Sequence, residues 1–123
     1  MAPKDLIKKA IVAQKRAEAP YSSYPVGAAL LTTDDLVILG CNIESKAYPT
    51  TLCAERVAIF SAISQGYKEF SAMALITQEG ASPCGSCRQI IYEYARNIPI
   101  YIAKDLDNYV TQTISDLLPF PFG

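Results

Sequence analysis

Two short cysteine motifs constrain the fold of this chain more than any other feature of its sequence. The first is Cys53-Ala54-Glu55-Arg56, and the second is Pro83-Cys84-Gly85-Ser86-Cys87. The chain contains no histidine, so a transition-metal site would have to be built from thiolates and carboxylates. Three thiolates favour zinc over hard cations, and a site with three protein ligands keeps a coordination position open for water. A fold that uses both motifs must bring two distant segments to one point.

Composition and charge exclude several classes of protein. The chain has 123 residues, of which 50% are hydrophobic, and its formal net charge is −1. It lacks the basic block or stripe that marks a nucleic-acid binder. Its N-terminus lacks the apolar core of a signal peptide, and no apolar run reaches the ~18 residues of a membrane span. We therefore expect a soluble, cytoplasmic protein with one domain over residues 1–123.

The cysteines of a chain without a signal peptide are better explained by metal binding or catalysis than by disulfides. Four cysteines are present, and the two motifs use three of them. The remaining one, Cys41, lies in the apolar run 36–41. We expect Cys41 to be a buried thiol that packs as a small hydrophobic group.

Hydrophobic periodicity and turn residues divide the chain into alternating helices and strands. The predicted helices cover residues 4–18, 53–65, 84–96 and 113–118, and the predicted strands cover 26–31, 36–41, 72–76 and 98–103. The first two strands read as a hairpin buried on both faces. Helix 53–65 is apolar nearly all round, which predicts burial on every side, between the sheet and a partner subunit. The last helix begins with a candidate capping box, Thr113 and Asp116.

A hairpin followed by alternating helices and strands predicts an α/β fold of three layers, α/β/α, with a mixed sheet of roughly five strands. Both cysteine motifs fall at helix starts directly after a loop or a strand, where ligand sites gather on such sheets. Cys84 and Cys87 are three residues apart and so share one side of the first helical turn. The dipole at a helix N-terminus favours the thiolate form that binds metal.

Each motif alone is compatible with several roles. Cys84-x-x-Cys87 could be a redox dithiol or half of a structural zinc site, and Glu55 could be a solvated acid in a first helical turn. Together the motifs match the zinc deaminase signature. That signature begins with a His or Cys ligand, has a Glu two residues later, and continues further along the chain with Pro-Cys-x-x-Cys. The combination indicates metal-assisted hydrolysis.

A zinc site with three thiolates carries a net negative charge, which opposes the ionisation of a bound water. A positive group should compensate for this charge. Arg56 and Arg88 each directly follow a cysteine-bearing motif. We expect one or both of them to donate hydrogen bonds to the sulfurs.

Nearly the whole chain resembles the small cytidine deaminases of the homotetrameric type, which bind zinc through three cysteines. Five blocks match in order, namely residues 21–30, 40–44, 53–56, 82–89 and 117–119. The resemblance implies hydrolytic deamination of cytidine and deoxycytidine in pyrimidine salvage, with one Zn²⁺ per chain. It implies that Cys53, Cys84 and Cys87 hold the metal. Glu55 would take the proton of the attacking water, deliver it to N3 of the ring and help ammonia leave.

The resemblance also assigns residues to the nucleoside. Asn42 and Glu44 match residues that hold the ribose hydroxyls, and alternation along an extended segment would point both the same way. Tyr24 and Ala54 are implied as substrate contacts in the same site. Tyr24 stands where phenylalanine is common in the family, and it adds a hydroxyl to a surface for stacking.

Two further aromatic residues are implied to act between subunits. Tyr48 lies on a loop that lines a neighbouring site, and Phe122 matches a C-terminal aromatic that reaches the base of a nucleoside bound to another chain. The sequence departs from the family where Ser45 replaces the usual asparagine, and its tail is short.

The sequence leaves three alternatives open. A deaminase of a modified cytosine nucleoside, such as an antibiotic, would use the same chemistry, although the Asn42 and Glu44 pair favours plain ribose. An RNA- or DNA-editing deaminase would need a basic and aromatic groove, which the sequence lacks. A structural-zinc interaction module would need a fourth ligand, for which Cys41 is the spare thiol.

Overall fold

A five-stranded mixed sheet forms the centre of the molecule, and the computed structural model describes residues 1–123. The elements in chain order are α1 (Pro3–Gln14), β1 (Gly27–Thr32), β2 (Val37–Cys41), α2 (Ala54–Ser64), β3 (Phe70–Ile76), α3 (Gly85–Ile90), β4 (Ile100–Ala103), β5 (Tyr109–Gln112) and α4 (Ile114–Leu117). A π-helical turn, Ile91–Ala95, continues α3. The strand order is β2-β1-β3-β4-β5, in which β3 and β4 are parallel and the other neighbours are antiparallel.

The alternation of side chains along the strands divides the core into two parts. Leu30 of β1 and Leu75 of β3 pack with residues of α2 and of the π-helical turn. Leu31 of β1 and Ile76 of β3 belong to the other part, which they form with Leu6 and its neighbours in α1. Helices therefore cover both faces of the sheet, which confirms the predicted three-layer α/β fold.

The hairpin is less symmetric than its apolar sequence predicts. All six residues of β1 are buried, but in β2 only Gly40 is buried, and Cys41 is half-buried. The prediction that both strands are buried on both faces is thus wrong for β2, because this strand lies at the edge of the sheet. A Cβ at Gly40 would lie 2.9 Å from the Cβ of Ala58. Glycine at this position therefore allows α2 to approach β2 closely.

The ends of the predicted elements differ from the structure where long-range contacts intervene. Helix α1 ends at Gln14 rather than at residue 18, because Glu18 pairs in an extended conformation with Ile43. The sequence predicted about five strands but located only four. Strand β5 was missed because none of its residues is buried, so it carries no apolar pattern. The capping box of Thr113 and Asp116 is confirmed at the start of α4.

Helix α2 is buried on one side only within a single chain. Ala54, Ala58 and Ile59 are fully buried, but Phe60 is 40% exposed. The Phe60 ring meets the ring of Tyr94 edge to face, with centroids 6.1 Å apart. The prediction of burial on every side is therefore not met within one chain.

No helix in the structure is both long enough and apolar enough to cross a membrane.

Candidate active site

The starts of α2 and α3 converge, and this brings the three predicted metal-binding thiols together. Cys53 and Cys84 are the residues directly before these helices, and each has an extended backbone there. Cys87 is buried in the first turn of α3. The three sulfur atoms lie within 4.8 Å of one another, and the Sγ atoms of Cys53 and Cys84 are 4.0 Å apart.

This donor set fits a zinc ion. Zinc binds thiolates at about 2.3 Å in a tetrahedral site, which places sulfur ligands about 3.8 Å from one another. The separation of 4.0 Å between Cys53 and Cys84 is close to that value. Cys41 does not belong to the cluster. A closed structural site of four cysteines is therefore not formed, and the three thiols could hold zinc with its fourth position free.

The thiol cluster is poised to lose a proton. The hydrogen bond between Cys87 and Cys53, followed by the hydrogen bond from Arg56, lowers the pKa of Cys53 to about 5. The guanidinium of Arg56 donates from Nη2 to Cys53 Sγ over 3.4 Å. The shared hydrogen bond with Cys53 and burial both raise the pKa of Cys87. Of these two thiols, Cys53 is therefore the one that loses its proton more readily, next to Arg56.

Arg88 is oriented differently from the expectation. Its Nε donates to the carbonyl oxygen of Pro83 and its Nη1 donates to that of Leu117, both over 2.8 Å. It makes no hydrogen bond to a sulfur. Of the two arginines expected to donate to the sulfurs, only Arg56 does so. Arg88 directly follows Cys87, and consecutive helical residues diverge by about 100°. Arg88 therefore points elsewhere and joins the loop before Cys84 to the end of α4.

Glu55 lies in the first turn of α2, two residues after Cys53. Its side chain is only 4% exposed, and it lines the cavity in front of the thiols. Burial is the main cause that raises the pKa of Glu55 to about 7. A carboxyl group with this pKa can both accept and donate a proton near neutral pH.

A cavity of about 750 Å³ opens in front of Glu55 and the thiols. This volume lies in the range of small-molecule sites. Its wall includes eight residues singled out from the sequence, namely Tyr24, Asn42, Glu44, Tyr48, Cys53, Ala54, Glu55 and Cys84. Thr77 and Ala81 also line it and were not singled out from the sequence. One cavity therefore joins the metal-binding cysteines to the expected sugar contacts.

Asn42 and Glu44 both line this cavity, and both are held in place by hydrogen bonds. Asn42 Oδ1 accepts from the Val26 amide and Nδ2 donates to the Tyr24 carbonyl, each over 2.9 Å. Glu44 accepts hydrogen bonds from the amides of Tyr21 and Ser22 and from the Ser22 hydroxyl. The hydrogen bonds from Ser22 are the main cause that lowers the pKa of Glu44.

Ser22 is a contributor that sequence reasoning did not single out. Its only sequence signal was its place in the block 21–30, two residues before Tyr24. Its hydroxyl contacts Glu44 and also accepts from the Tyr24 amide over 3.1 Å. Ser22 thereby connects the acidic wall of the cavity to the aromatic one.

The aromatic residues divide into two groups. Tyr24 lines the cavity, and its hydroxyl oxygen is buried without a hydrogen-bond partner. Tyr48 lies at the mouth of its own chain's cavity and is 84% exposed. Phe122 does not line this cavity, and its side chain is 88% exposed. A contact of Tyr48 or Phe122 with a neighbouring site remains a prediction.

Comparison with known proteins agrees with this geometry. Residues 2–102 match the family model described as the cytidine and deoxycytidylate deaminase zinc-binding region. A cytidine deaminase of Sporosarcina psychrophila is 43% identical over 121 residues, which are 96% of this chain and 89% of that protein. A blasticidin-S deaminase of Bacillus cereus is 32% identical over 111 residues, which cover 82% of this chain and 79% of that protein.

Among solved structures, the crystal structure of cytidine deaminase from Burkholderia pseudomallei superposes with a TM-score of 0.95 at 38% sequence identity. The match covers 99% of this chain and 100% of that one. Sequence, fold and the three-thiol cluster beside a buried carboxyl group lead to one assignment. The chain belongs to the cytidine deaminase family of zinc-dependent hydrolases.

Proposed function

We propose that this chain hydrolyses cytidine and deoxycytidine to uridine and deoxyuridine with release of ammonia. One observation carries the proposal: Glu55, buried and with its pKa raised to about 7, lies in the cavity beside the cluster of Cys53, Cys84 and Cys87. A proton-transferring group and a metal site at one end of a nucleoside-sized cavity are what this hydrolysis requires. The names of the relatives support the same reaction.

The chain's own residues would divide the chemistry as follows. Cys53, Cys84 and Cys87 would hold zinc, which supplies Lewis acidity that makes water a nucleophile near neutral pH. Glu55 would accept the proton of the water that attacks C4 and deliver it to N3. It would then transfer the second proton to the amino group, so that the C4–N4 bond breaks and ammonia leaves. Its burial excludes competing water from this transfer.

Arg56 would stabilise the anionic thiolates. It is the one guanidinium that contacts a sulfur, and its hydrogen bond to Cys53 Sγ counters charge that would otherwise oppose loss of a proton from water. Arg88 would act on the backbone instead, by fixing the carbonyl of Pro83 at the entry to the Cys84 turn.

The opposite end of the cavity would bind the sugar. Glu44 uses three hydrogen bonds from Tyr21 and Ser22 to fix its carboxylate. An ionised carboxylate offers about four acceptor positions, so it can still accept from a ribose hydroxyl. Asn42 retains one N–H for the same sugar after donating to Tyr24. Ala54, fully buried at the start of α2, would contact the base, and Tyr24 would provide a wall for stacking.

The functional unit would be one domain over residues 1–123, assembled as a cytoplasmic homotetramer of the three-cysteine type that acts in pyrimidine salvage. Exposed aromatic side chains support an assembly, since Phe60 and Tyr94 are each about two-fifths exposed and Phe122 is 88% exposed in their own chain. Light scattering after size-exclusion chromatography should give the mass of four chains. A monomer at micromolar concentration would contradict the shared site.

A deaminase of a modified cytosine nucleoside is the second candidate. It is favoured by the likeness to a blasticidin-S deaminase and by the side chains of Ser45 and Lys46 at the cavity. The intact and well-held pair of Asn42 and Glu44 supports unmodified ribose instead.

Ammonia release separates these candidates. Steady-state rates should be compared for cytidine, deoxycytidine, cytosine, CMP and blasticidin S, alongside metal analysis of freshly purified protein. We expect about one zinc per chain and the highest kcat/KM for the two nucleosides. A protein that turns over blasticidin S but not cytidine would support the second candidate, and folded protein without zinc would refute the site.

A further inference from the structure

The last two residues of the chain are held in place although the aromatic ring they carry is exposed. The side-chain amide of Gln89 donates from Nε2 to the Phe122 carbonyl over 2.8 Å and accepts at Oε1 from the Phe122 amide over 3.1 Å. The Tyr92 hydroxyl donates to the Gly123 carbonyl over 3.0 Å. We refer to Gln89 and Tyr92, with these three hydrogen bonds, as the tail clamp.

These hydrogen bonds order a segment whose side chain is exposed. Ordering such a segment costs conformational entropy. Burial of the Phe122 side chain does not offset that cost here, since the ring is 88% exposed in its own chain. The tail clamp therefore fixes the backbone of Phe122, whose ring is left exposed by its own chain.

The tail clamp belongs to the helical segment that also carries two of the thiols. Cys87 lies in the first turn of α3, Arg88 bonds the Leu117 carbonyl, and Gln89 bonds Phe122. Tyr92 follows in the π-helical turn. Consecutive residues of one segment thus hold the metal-binding loop of this chain and its C-terminal tail. The ring cannot serve its own chain's cavity from there, because Phe122 is not part of that cavity's wall.

We infer that Gln89 is a positioning residue, whose amide sets the position from which Phe122 reaches the nucleoside in a neighbouring subunit's cavity. This inference rests on the proposed deaminase with shared sites. A primary amide presents a donor and an acceptor on adjacent atoms, and Gln89 uses both on the two polar backbone groups of Phe122. Glutamate would keep the acceptor and lose the donor, and methionine would lose both at similar length.

The test compares Gln89→Met with Phe122→Ala and with the double variant in the zinc-loaded tetramer. Gln89→Met should raise KM for cytidine about ten-fold, and kcat should change little. The loss of two hydrogen bonds of ordinary strength is large enough for this change in KM. In the Phe122→Ala background the same substitution should have no further effect. Gln89→Glu, which keeps one of the two hydrogen bonds, should fall between wild type and Gln89→Met.

Gln65→Met is the matched control, because the Gln65 amide contacts only Ser61 Oγ in its own helix. Its KM should equal that of the wild type. Exchange of the Phe122 amide hydrogen gives a readout independent of activity: it should be slow in the wild type and fast in Gln89→Met. Zinc content and tetramer mass should stay the same in all variants.

Several results would overturn the inference. One is an unchanged KM, or an unchanged rate of Phe122 amide exchange, in Gln89→Met. Another is an effect of Gln89→Met on KM that persists in full in the Phe122→Ala background. Loss of zinc or of the tetramer in both Gln89 variants would assign Gln89 a structural role instead. Failure of the proposed function looks different, since wild-type protein would then release no ammonia from cytidine.

Discussion

The two ends of the cavity differ in how much of each a single chain supplies. At the closed end, three thiols, Glu55 and Arg56 meet within one chain, and they come from the starts of only two helices. At the open end, Tyr48 is 84% exposed at the mouth, and the Phe122 ring does not reach its own chain's cavity. The closed end has all its groups within one chain, with Glu55 and Cys87 buried and Cys84 exposed. At the open end, by contrast, the aromatic rings of Tyr48 and Phe122 are left exposed by their own chain.

This difference predicts two kinds of kinetic effect. A change at the closed end should alter zinc binding or kcat, because we propose that those groups act on the metal or on the reacting atoms. A change at the open end should alter KM, because we propose that those groups hold parts of the substrate that do not react. An effect in the other parameter would contradict this division.

The largest effect is expected for Cys87→Ser. Cys87 is fully buried and supplies one of the three sulfurs, and a hydroxyl is a poor ligand for zinc. We expect loss of zinc, loss of detectable ammonia release, and a lower melting temperature, since metal binding contributes to folding free energy. Cys41→Ser, outside the cluster, is the matched control and should keep zinc and activity. A zinc-loaded, active Cys87→Ser protein would show that the metal lies elsewhere.

Glu55→Gln should give the next largest effect. The amide keeps the shape of the side chain but cannot transfer a proton, so kcat should fall roughly 100- to 10,000-fold. Zinc content should be unchanged, and KM should change little. Glu69→Gln alters an exposed glutamate on the loop before β3 and should behave as wild type. A Glu55→Gln variant with normal kcat would remove Glu55 from the chemistry.

A smaller effect on the same end is expected for Arg56→Ala. Removing the donor to Cys53 Sγ leaves the thiolates less compensated, and partners of this kind are worth about 10- to 100-fold in metal affinity or activity. The loss should appear in zinc affinity, measured by chelator competition, or in kcat. Arg16→Ala, at an exposed arginine, is the control. An effect confined to KM would contradict the role of Arg56 at the thiol cluster and would assign it to substrate binding.

The closed end was predictable because its contacts are local. Cys53 and Arg56 are three residues apart on one helix, and Cys84 and Cys87 are three apart on another, so helical geometry alone brings each pair to one side. What the spacing could not supply was the approach of the two helices to each other. That depends in part on close packing of α2 against Gly40 of β2.

The open end was less predictable because its contacts are long-range. Ser22 and Glu44 are far apart in sequence and meet only once β1 and the segment after β2 are in place. The contact of Gln89 with Phe122 depends on the tail returning across α3. Strand β5 was not predicted for a related reason. None of its residues is buried, and its backbone pairing with β4 produces no hydrophobic pattern in the sequence. Arg88 was misjudged from proximity in sequence alone.

The smallest effect should separate the two ends most clearly. Glu44→Gln removes a charge but keeps one oxygen acceptor, and hydrogen bonds to charged groups are roughly twice as strong as neutral ones. KM for cytidine should therefore rise about ten-fold, by the typical strength of a charged hydrogen bond, while kcat stays near the wild-type value. The matched substitution Glu18→Gln, on an exposed side chain, should leave both parameters unchanged. Glu44 and Glu55 both line one cavity, so their kcat values can be compared directly. If kcat fell as far in Glu44→Gln as in Glu55→Gln, the two carboxylates would share the proton transfer. The division between a chemical end and a binding end would then not hold.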